Sequence, residues 1–241
     1  MIARLHRFPD PLAAARACAH EILSQLEAVL RSKGFATLAV SGGNSPAPMF
    51  EELARQLLDW SRVHLFWVDE RAVPAAHPQS NYRLARKCLI DPARLPHANV
   101  HPVETDLPPV EAARRYADHI RSFFGLAPGV LPRFDVIHRG IGADAHTASL
   151  FPGEPLIDDR QGLAAAVWVE KLSQWRITLL PGVLLNAAFT AVLASGADKA
   201  EAVRSVIAGP YEPLRRPAQL GLKDGGAVAW FLDQAAAQRL E

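Results

Sequence analysis

The segment from Gly140 to Gly153 holds the densest group of reactive side chains in this sequence. A carboxylate, Asp144, and an imidazole, His146, stand two positions apart among glycines and hydroxyl residues. An imidazole with the ordinary pKa of about 6.5 is largely neutral at pH 7 and accepts protons, so His146 is a candidate general base. This combination predicts proton transfer or hydrolysis.

Polar residues follow four apolar runs of the chain, each at the point where a strand would end. Phe134 to Ile137 predicts a buried strand directly before the glycines, which fall where the chain must turn. The other three groups are Ser41-Gly42-Gly43-Asn44, Asp69-Glu70-Arg71 and Lys199. Because the carboxyl ends of parallel strands share one edge of a sheet, where α/β folds bind ligands, we expect these groups in one cleft.

The turn from Ser41 to Asn44 predicts an anion site. It leads from a strand into a helix, whose first N–H groups have no intrahelical partners and whose dipole favours negative charge. It matches neither a Walker A sequence, since no lysine follows, nor the G-x-G-x-x-G fingerprint. Lys199 stands at the predicted start of a helix, where a positive charge is unfavourable with the helix dipole. Such a position is consistent with a lysine that binds an anion. The alternatives are an ordinary tight turn, a solvated Lys199 and a surface salt-bridge cluster at Asp69 to Arg71.

The chain shows no composition typical of nucleic-acid or membrane partners. Its 241 residues contain 26 Lys+Arg and 25 Asp+Glu, a formal charge of +1. No apolar run approaches the roughly 20 residues that cross a bilayer. Cys18 and Cys88 lack metal-ligand spacing, and the chain starts without a secretory pattern, so we expect a cytoplasmic protein without disulfides. A mitochondrial presequence is the alternative for the first helix, but Glu21 and Glu27 argue against it.

Apolar periodicity predicts an α/β fold in one domain, residues 1–241. Strand-like runs cover 35–40, 63–68, 134–137, 165–169, 176–180, 189–194 and 227–233, and Asp10-Pro11, Ser80 and Val110 mark helix starts between them. We expect no chemistry between Pro92 and Pro109. His97, His101 and His119 are predicted on loops or solvated faces rather than in a metal site, because nothing pairs them at ligand spacing.

Six stretches of the sequence together resemble the family of 6-phosphogluconolactonases and glucosamine/galactosamine-6-phosphate isomerases, and most closely its lactonase branch. They are Ser41-Gly42-Gly43-Asn44-Ser45-Pro46, Trp67-Val68-Asp69-Glu70-Arg71, Ser80-Asn81-Tyr82, Gly140 to Gly153, Arg176-Ile177-Thr178-Leu179 and Gly196-Ala197-Asp198-Lys199-Ala200. The match runs in order along nearly the whole chain, and the run from His146 to Gly153 is specific. The resemblance implies a doubly wound, mainly parallel sheet with helices on both faces, a NagB/RpiA/CoA transferase-like fold.

The resemblance also implies an activity, the hydrolysis of 6-phosphoglucono-δ-lactone in the oxidative pentose phosphate pathway, without cofactor or metal. His146 would be the general base that takes a proton from water, with Asp144 or Asp69 orienting the imidazole or binding sugar hydroxyls. The substrate- and phosphate-binding residues would be Ser41, Gly42, Gly43, Asn44, Arg71 and Lys199, with Arg176 a weaker candidate. Oxyanion donors would be backbone N–H groups of the Gly140 to His146 turn or the Arg71 guanidinium. We expect a small sugar phosphate as partner and a monomer or weak dimer.

Two other functions stay open, an amino-sugar-phosphate isomerase or deaminase and a non-catalytic sugar-phosphate sensor. The deaminase branch carries a glutamate five residues after the motif's histidine, where this chain has Phe151, which relays no proton. The lactonase pattern itself usually has glycine at the position of Ala145 and an aliphatic–glycine pair at His138-Arg139. We expect Ala145 to reshape the turn slightly and His138-Arg139 to add polarity beside the site.

Overall fold

The computed structural model describes residues 4–43, 45–222 and 227–240. The strands are β1 (Arg4–Phe8), β2 (Ala36–Val40), β3 (Val63–Trp67), β4 (Asp69–Arg71), β5 (Val100–His101), β6 (Val136–Arg139), β7 (Ala164–Val169), β8 (Gln174–Leu179), β9 (Phe189–Ala194) and β10 (Ala227–Asp233). The helices are α1 (Pro11–Ser32), α2 (Ala47–Arg55), α3 (Asn81–Ala85), α4 (Asp91–Ala93), α5 (Pro109–Phe124), α6 (Pro181–Leu185), α7 (Ala200–Ile207) and α8 (Gln234–Ala237). A π-helical turn at Arg86–Ile90 joins α3 to α4.

Within the described ranges, seven strands form a parallel sheet in the order β1-β10-β9-β6-β2-β3-β5. The strands β4, β8 and β7 form a smaller antiparallel sheet. The predicted mainly parallel sheet is therefore confirmed. Three strands differ from the sequence expectation: β1 is an exposed edge strand rich in arginine and histidine, β4 consists of the polar residues Asp69–Arg71, and β5 has only two residues.

Helices cover both faces of the parallel sheet, as the doubly wound fold requires. Phe189, Ala191 and Leu193 of β9 face the larger core, which contains the apolar side of α1. Val192 and Ala194 face a second core with α7 and α8. Because successive side chains of a strand point to opposite faces, β9 needs apolar residues throughout, which is the continuous apolar run seen in the sequence.

The first helix begins where the sequence predicts. Asp10 is its N-cap and accepts a hydrogen bond from the backbone N–H of Ala13 at 2.8 Å, and Pro11 occupies the first helical position. A capping carboxylate and a proline at that position both favour helix initiation. In the described part of the chain, no helix is both long and apolar enough to cross a bilayer.

Three histidines form a hydrogen-bonded row beside β5. His101 lies between His64, at 3.0 Å, and His119, at 2.8 Å, and its ring stacks on Phe66 with centroids 4.3 Å apart. The predicted place of His101 on a loop or solvated face is wrong, since it is only 8% exposed. The two contacts use opposite nitrogens of His101, so the rings do not converge on a point, and among the described residues no group of three or more ligands could hold a metal ion.

Two buried histidines, His101 of this row and His138 of β6, make stability depend on pH. Burial, with a smaller contribution from His119 and His64, lowers the pKa of His101 to about 4, and burial lowers the pKa of His138 to about 3. The unfolded chain binds these protons near pH 6.5, so stability is full above that pH and falls as the pH drops from 6.5 towards 4. We expect urea unfolding to give a free energy on the order of 1–2 kcal/mol lower per histidine at pH 5 than at pH 7.5.

Two matched variants assign this effect. His101→Phe keeps an aromatic ring beside Phe66 and removes the titration, so the difference between pH 7.5 and pH 5 should shrink. His97→Phe replaces an exposed histidine and should leave the difference unchanged. Equal pH dependence in His101→Phe and the unsubstituted protein would show that the histidine row does not cause it.

Candidate functional site

A cleft of about 330 Å³ opens at the carboxyl ends of β2, β6 and β9. It is lined by most of the predicted site residues, namely Ser41, Gly42, Gly43, Asp69, Arg71, His146, Arg176 and Lys199. Asp144 contacts the His146 side chain without lining the cleft, and Asn44 lies outside the described residues. The volume is that of a site for a small ligand. The strand ends thus bring groups from four distant segments together.

The Asp144 and His146 side chains form a hydrogen-bonded pair within a tight turn. Oδ1 of Asp144 lies 2.5 Å from Nδ1 of His146 and also accepts the backbone N–H of His146 at 3.2 Å. The turn is closed by the N–H of Gly142, which donates to the His146 carbonyl at 2.9 Å. Since a carboxylate only accepts, the neutral ring holds its proton on Nδ1 and its lone pair on Nε2. This hydrogen bond therefore leaves Nε2 of His146 able to accept a proton.

Two further side chains complete the surroundings of this pair. Phe151 stacks on the His146 ring with centroids 4.2 Å apart, and Lys171 forms an ion pair with the Asp144 carboxylate. Burial by itself raises the pKa of Asp144, but the hydrogen bonds from His146 and Lys171 outweigh it and hold that pKa well below its usual range. Asp144 therefore stays a carboxylate at neutral pH and keeps the His146 ring in one tautomer.

The turn requires a glycine at position 142 and accepts an alanine at position 145. A Cβ on Gly142 would lie 1.9 Å from Nδ1 of His146, so the imidazole would have to move away from its present position. Ala145 has φ of 66°, a left-handed conformation that costs about 1 kcal/mol more for alanine than for glycine. Its methyl group is buried in the second core, and its N–H still donates to the Gly142 carbonyl at 2.9 Å. The departure from the family pattern at Ala145 thus leaves the turn closed.

Two arginines lie opposite each other on neighbouring strands of the antiparallel sheet. Arg71 of β4 and Arg176 of β8 are directly paired in the strand register. Arg71 donates to the Gln79 carbonyl at 2.6 Å, while the Nε atoms of both arginines are buried and have no hydrogen-bond partner among the described residues. Burial, and then the charge of Arg71, lower the pKa of Arg176. Like charges at paired positions repel, so this arrangement favours an anion between them.

Lys199 reaches the cleft from the segment that follows β9. Its Nζ lies 3.0 Å from Asp198, which also lines the cleft and is itself well exposed. Gly196 begins this segment with φ of 98°, and its N–H donates to both Asp233 oxygens at 3.1 Å. The loop after β2 approaches the same place, because the Ser195 hydroxyl donates to Ser45 at 3.4 Å. These loops therefore form one polar wall.

The alternative of a surface salt-bridge cluster at Asp69 to Arg71 is wrong, because both carboxylates are buried. Asp69 accepts the Ser149 hydroxyl at 2.9 Å. Glu70 accepts the N–H groups of Asn81 and Tyr82, each at 2.7 Å, and thereby caps α3, while burial raises the pKa of Glu70. Sequence reasoning missed this role of Glu70. The Ser80-Asn81-Tyr82 motif was the signal that could have indicated it, since a helix start needs acceptors for its first N–H groups.

The side chains of His138 and Arg139 lie on opposite sides of β6, although the two residues are adjacent in the chain. His138 lines the cleft and is buried, and within the described chain neither of its ring nitrogens has a hydrogen-bond partner. Arg139 is buried away from the cleft and donates to the Leu220 carbonyl at 2.8 Å. Successive residues of β6 point to opposite faces, which explains the split. The polarity expected beside the site therefore comes from His138 alone.

The chain is similar to several known proteins over most of its length. The family model described as glucosamine-6-phosphate isomerases/6-phosphogluconolactonase matches residues 9–230. A 6-phosphogluconolactonase from Synechocystis sp. is 36% identical over 220 residues, 91% of this chain and 90% of the relative. One from Nostoc sp. is 36% identical over 233 residues, 96% of each chain. The solved structure of a 6-phosphogluconolactonase from Trypanosoma brucei has a TM-score of 0.86, 27% identity and 99% coverage of both chains.

We expect Gly142→Ala to break the Asp144–His146 hydrogen bond, because its methyl group would occupy the position of the imidazole. Gly140→Ala is the matched control, since its added Cβ would come no nearer than 3.9 Å to the Leu193 carbonyl. Long-range ¹H–¹⁵N NMR of the imidazole nitrogens reports the bond. The His146 signals should change in Gly142→Ala and persist in Gly140→Ala. An unchanged His146 spectrum in Gly142→Ala would contradict the close approach.

Proposed function

The chain belongs to the glucosamine-6-phosphate isomerase/6-phosphogluconolactonase family, and on that premise we propose that it hydrolyses 6-phosphoglucono-δ-lactone to 6-phosphogluconate in the oxidative pentose phosphate pathway. The observation that carries this proposal is the Asp144–His146 pair beside a cleft lined by Arg71, Arg176 and Lys199. A base and several cations suit a phosphorylated substrate that is attacked by water. The named 6-phosphogluconolactonase relatives support the same reaction.

In the proposed mechanism His146 acts as general base. Water attacks the lactone carbonyl carbon while Nε2 takes one of its protons, and the C=O electrons move to the oxygen. The tetrahedral intermediate then collapses, the bond to the ring oxygen breaks, and the imidazolium returns the proton to that oxygen, which becomes a hydroxyl. Asp144 stabilises the imidazolium between these steps, because its Oδ1 holds Nδ1 at 2.5 Å.

Arg71 is the best-placed hydrogen-bond donor to stabilise the oxyanion of the intermediate. Of the backbone N–H groups proposed as alternatives, those of Gly142, Ala145 and His146 already donate within the turn. The Arg71 Nε, in contrast, has no hydrogen-bond partner among the residues that the structure describes. A preorganised donor whose capacity is unused stabilises developing charge without reorganisation.

The phosphate of the substrate is assigned to the Ser41-Gly42-Gly43 loop with Asn44, together with Lys199 and Arg176, since Arg71 is assigned to the oxyanion at the lactone carbon. The Ser41 hydroxyl is buried and has no partner in the described ranges, so it has a free donor. Asp69 is assigned to the sugar hydroxyls, since it lines the cleft and is not bonded to His146 in the way that Asp144 is. Phe151 on the His146 ring offers no proton relay, which disfavours deaminase chemistry.

We propose that residues 1–241 form one domain, which acts on a small sugar phosphate in the cytoplasm as a monomer or weak dimer. Pairing of β1 with β10 joins the two ends of the described chain in one sheet, which supports a single domain. Water and protein groups suffice for each step, so neither metal nor cofactor is part of the mechanism. Nucleic acid and membrane have no role in it.

His146→Ala should lower kcat by about 10²–10⁴, because the general base is lost, while affinity for 6-phosphogluconate changes little. The measurement follows freshly generated lactone by NMR, with the spontaneous opening subtracted. His97→Ala is the matched control, since His97 is exposed and lies outside the cleft. Product binding without acceleration in the unsubstituted protein would indicate a sensor, and ammonia release from glucosamine 6-phosphate would indicate a deaminase.

Arg176→Ala and Lys199→Ala should each raise KM by about 10- to 100-fold, because charge-assisted hydrogen bonds to the phosphate are lost. The ratio of the affinities for 6-phosphogluconate and for gluconate measures how much the phosphate contributes to binding. This ratio should fall in both variants. Arg83→Ala removes an exposed arginine of α3 and should change neither value. An unaltered preference for the phosphorylated ligand in both cleft variants would place the phosphate elsewhere.

A further inference from the structure

The turn between β7 and β8 places Lys171 next to the residues that contact His146. This turn, Glu170–Leu172, ends at Ser173, whose φ of 46° is left-handed. Lys171 at this turn forms an ion pair with Oδ2 of Asp144. The same Nζ lies 4.4 Å from the centroid of the Phe151 ring, a cation–π geometry. The Lys171 side chain thus contacts Asp144 and Phe151, each of which contacts the His146 imidazole.

We propose that Lys171 is a positioning residue for His146: it holds Asp144 and Phe151 against the imidazole, and its charge sets the pH range over which His146 acts as base. The inference rests on the proposed lactonase function and assigns a role that the motifs do not indicate. Lys171 touches neither the cleft nor the reacting atoms, so it acts through Asp144 and Phe151.

The two oxygens of Asp144 serve different partners. Oδ1 holds Nδ1 of His146, whereas Oδ2 is held by Lys171. This division fixes the carboxylate in one orientation. It also places a positive charge next to the anion that stabilises the imidazolium, so Lys171 opposes protonation of His146 through space. Removing the lysine charge would let Asp144 stabilise the imidazolium more strongly.

Other charged groups near His146 do not contact it as Asp144 does. Arg176 lies 5.9 Å from the Phe151 centroid, on the same ring that Lys171 contacts. Glu170 accepts the Trp168 indole N–H at 2.6 Å and is the neighbour of Lys171 in the chain. The remaining charged side chains that line the cleft are Asp69, Arg71, Asp198 and Lys199. Among these charged groups, Asp144 is the one bonded to His146, and Lys171 is the cation paired with Asp144.

A purely structural ion pair predicts a different outcome. The side chains of Lys171 and Asp144 are 52% and 31% exposed, and exposed pairs contribute little to stability. A pair that only stabilised the hairpin would leave the pH dependence of catalysis unchanged. A positioning role changes the pH profile while stability stays nearly constant.

The test is the pH profile of kcat/KM for Lys171→Met from pH 5 to 9, with fresh lactone and the spontaneous rate subtracted. We expect the acid limb to move to higher pH by about 0.5–1 unit, because the imidazolium is stabilised more strongly. Lys171→Arg should restore the original limb. The matched control is Lys87→Met, which makes the same change at an exposed lysine that does not line the cleft.

A second measurement separates this inference from the proposed function. An NMR titration of the His146 ring in the full chain requires no turnover, and its midpoint should move upward in Lys171→Met and return in Lys171→Arg. A shifted midpoint without lactone hydrolysis by the unsubstituted protein would remove the lactonase proposal and keep the role of Lys171. Superimposable titrations of Lys171→Met and the unsubstituted protein would overturn that role.

Discussion

The hydrogen bond between Asp144 and His146 is the interaction on which the rest of the site depends. It determines which imidazole nitrogen keeps a lone pair, and it forms only because Gly142 has no side chain where ring and carboxylate meet. Backbone hydrogen bonds from Gly142 and Ala145 close the turn around it. The candidate base His146 is therefore held by backbone geometry at the end of a buried strand, where few alternative side-chain conformations compete with this one.

The two sheets supply different parts of the site. The parallel sheet brings the glycine loop, His146 and Lys199 to one edge, whereas the antiparallel sheet places Arg71 opposite Arg176. Two guanidinium groups in register, that of Arg176 buried and that of Arg71 half-buried, repel each other in the free protein, and an anion between them would offset that repulsion. Apolar cores pack on both faces of the parallel sheet, and their burial is the main stabilising contribution that opposes such local repulsion.

Much of the fold and part of the site were predictable from local patterns. The strand runs at 189–194 and 227–233 coincide with β9 and β10, and the cap at Asp10 and Pro11 begins α1 as expected. The exposed edge strand β1 was not predictable, because its arginines and histidine lack an apolar period and it is a strand only through pairing with β10. Apolar runs, caps and turn residues act over a few neighbours, so the sequence alone expresses them.

The sequence by itself determined the fold class, the strand ends that carry polar groups and the candidate base His146. Only the tertiary structure decided the partners of residues far apart in the chain. These are Arg176 opposite Arg71, Lys171 on Asp144, Glu70 at the start of α3 and His101 between His64 and His119. The physical reason is that strand register and hairpin placement depend on how the whole chain packs, and a local pattern of apolar and polar residues carries no information about register across two distant segments.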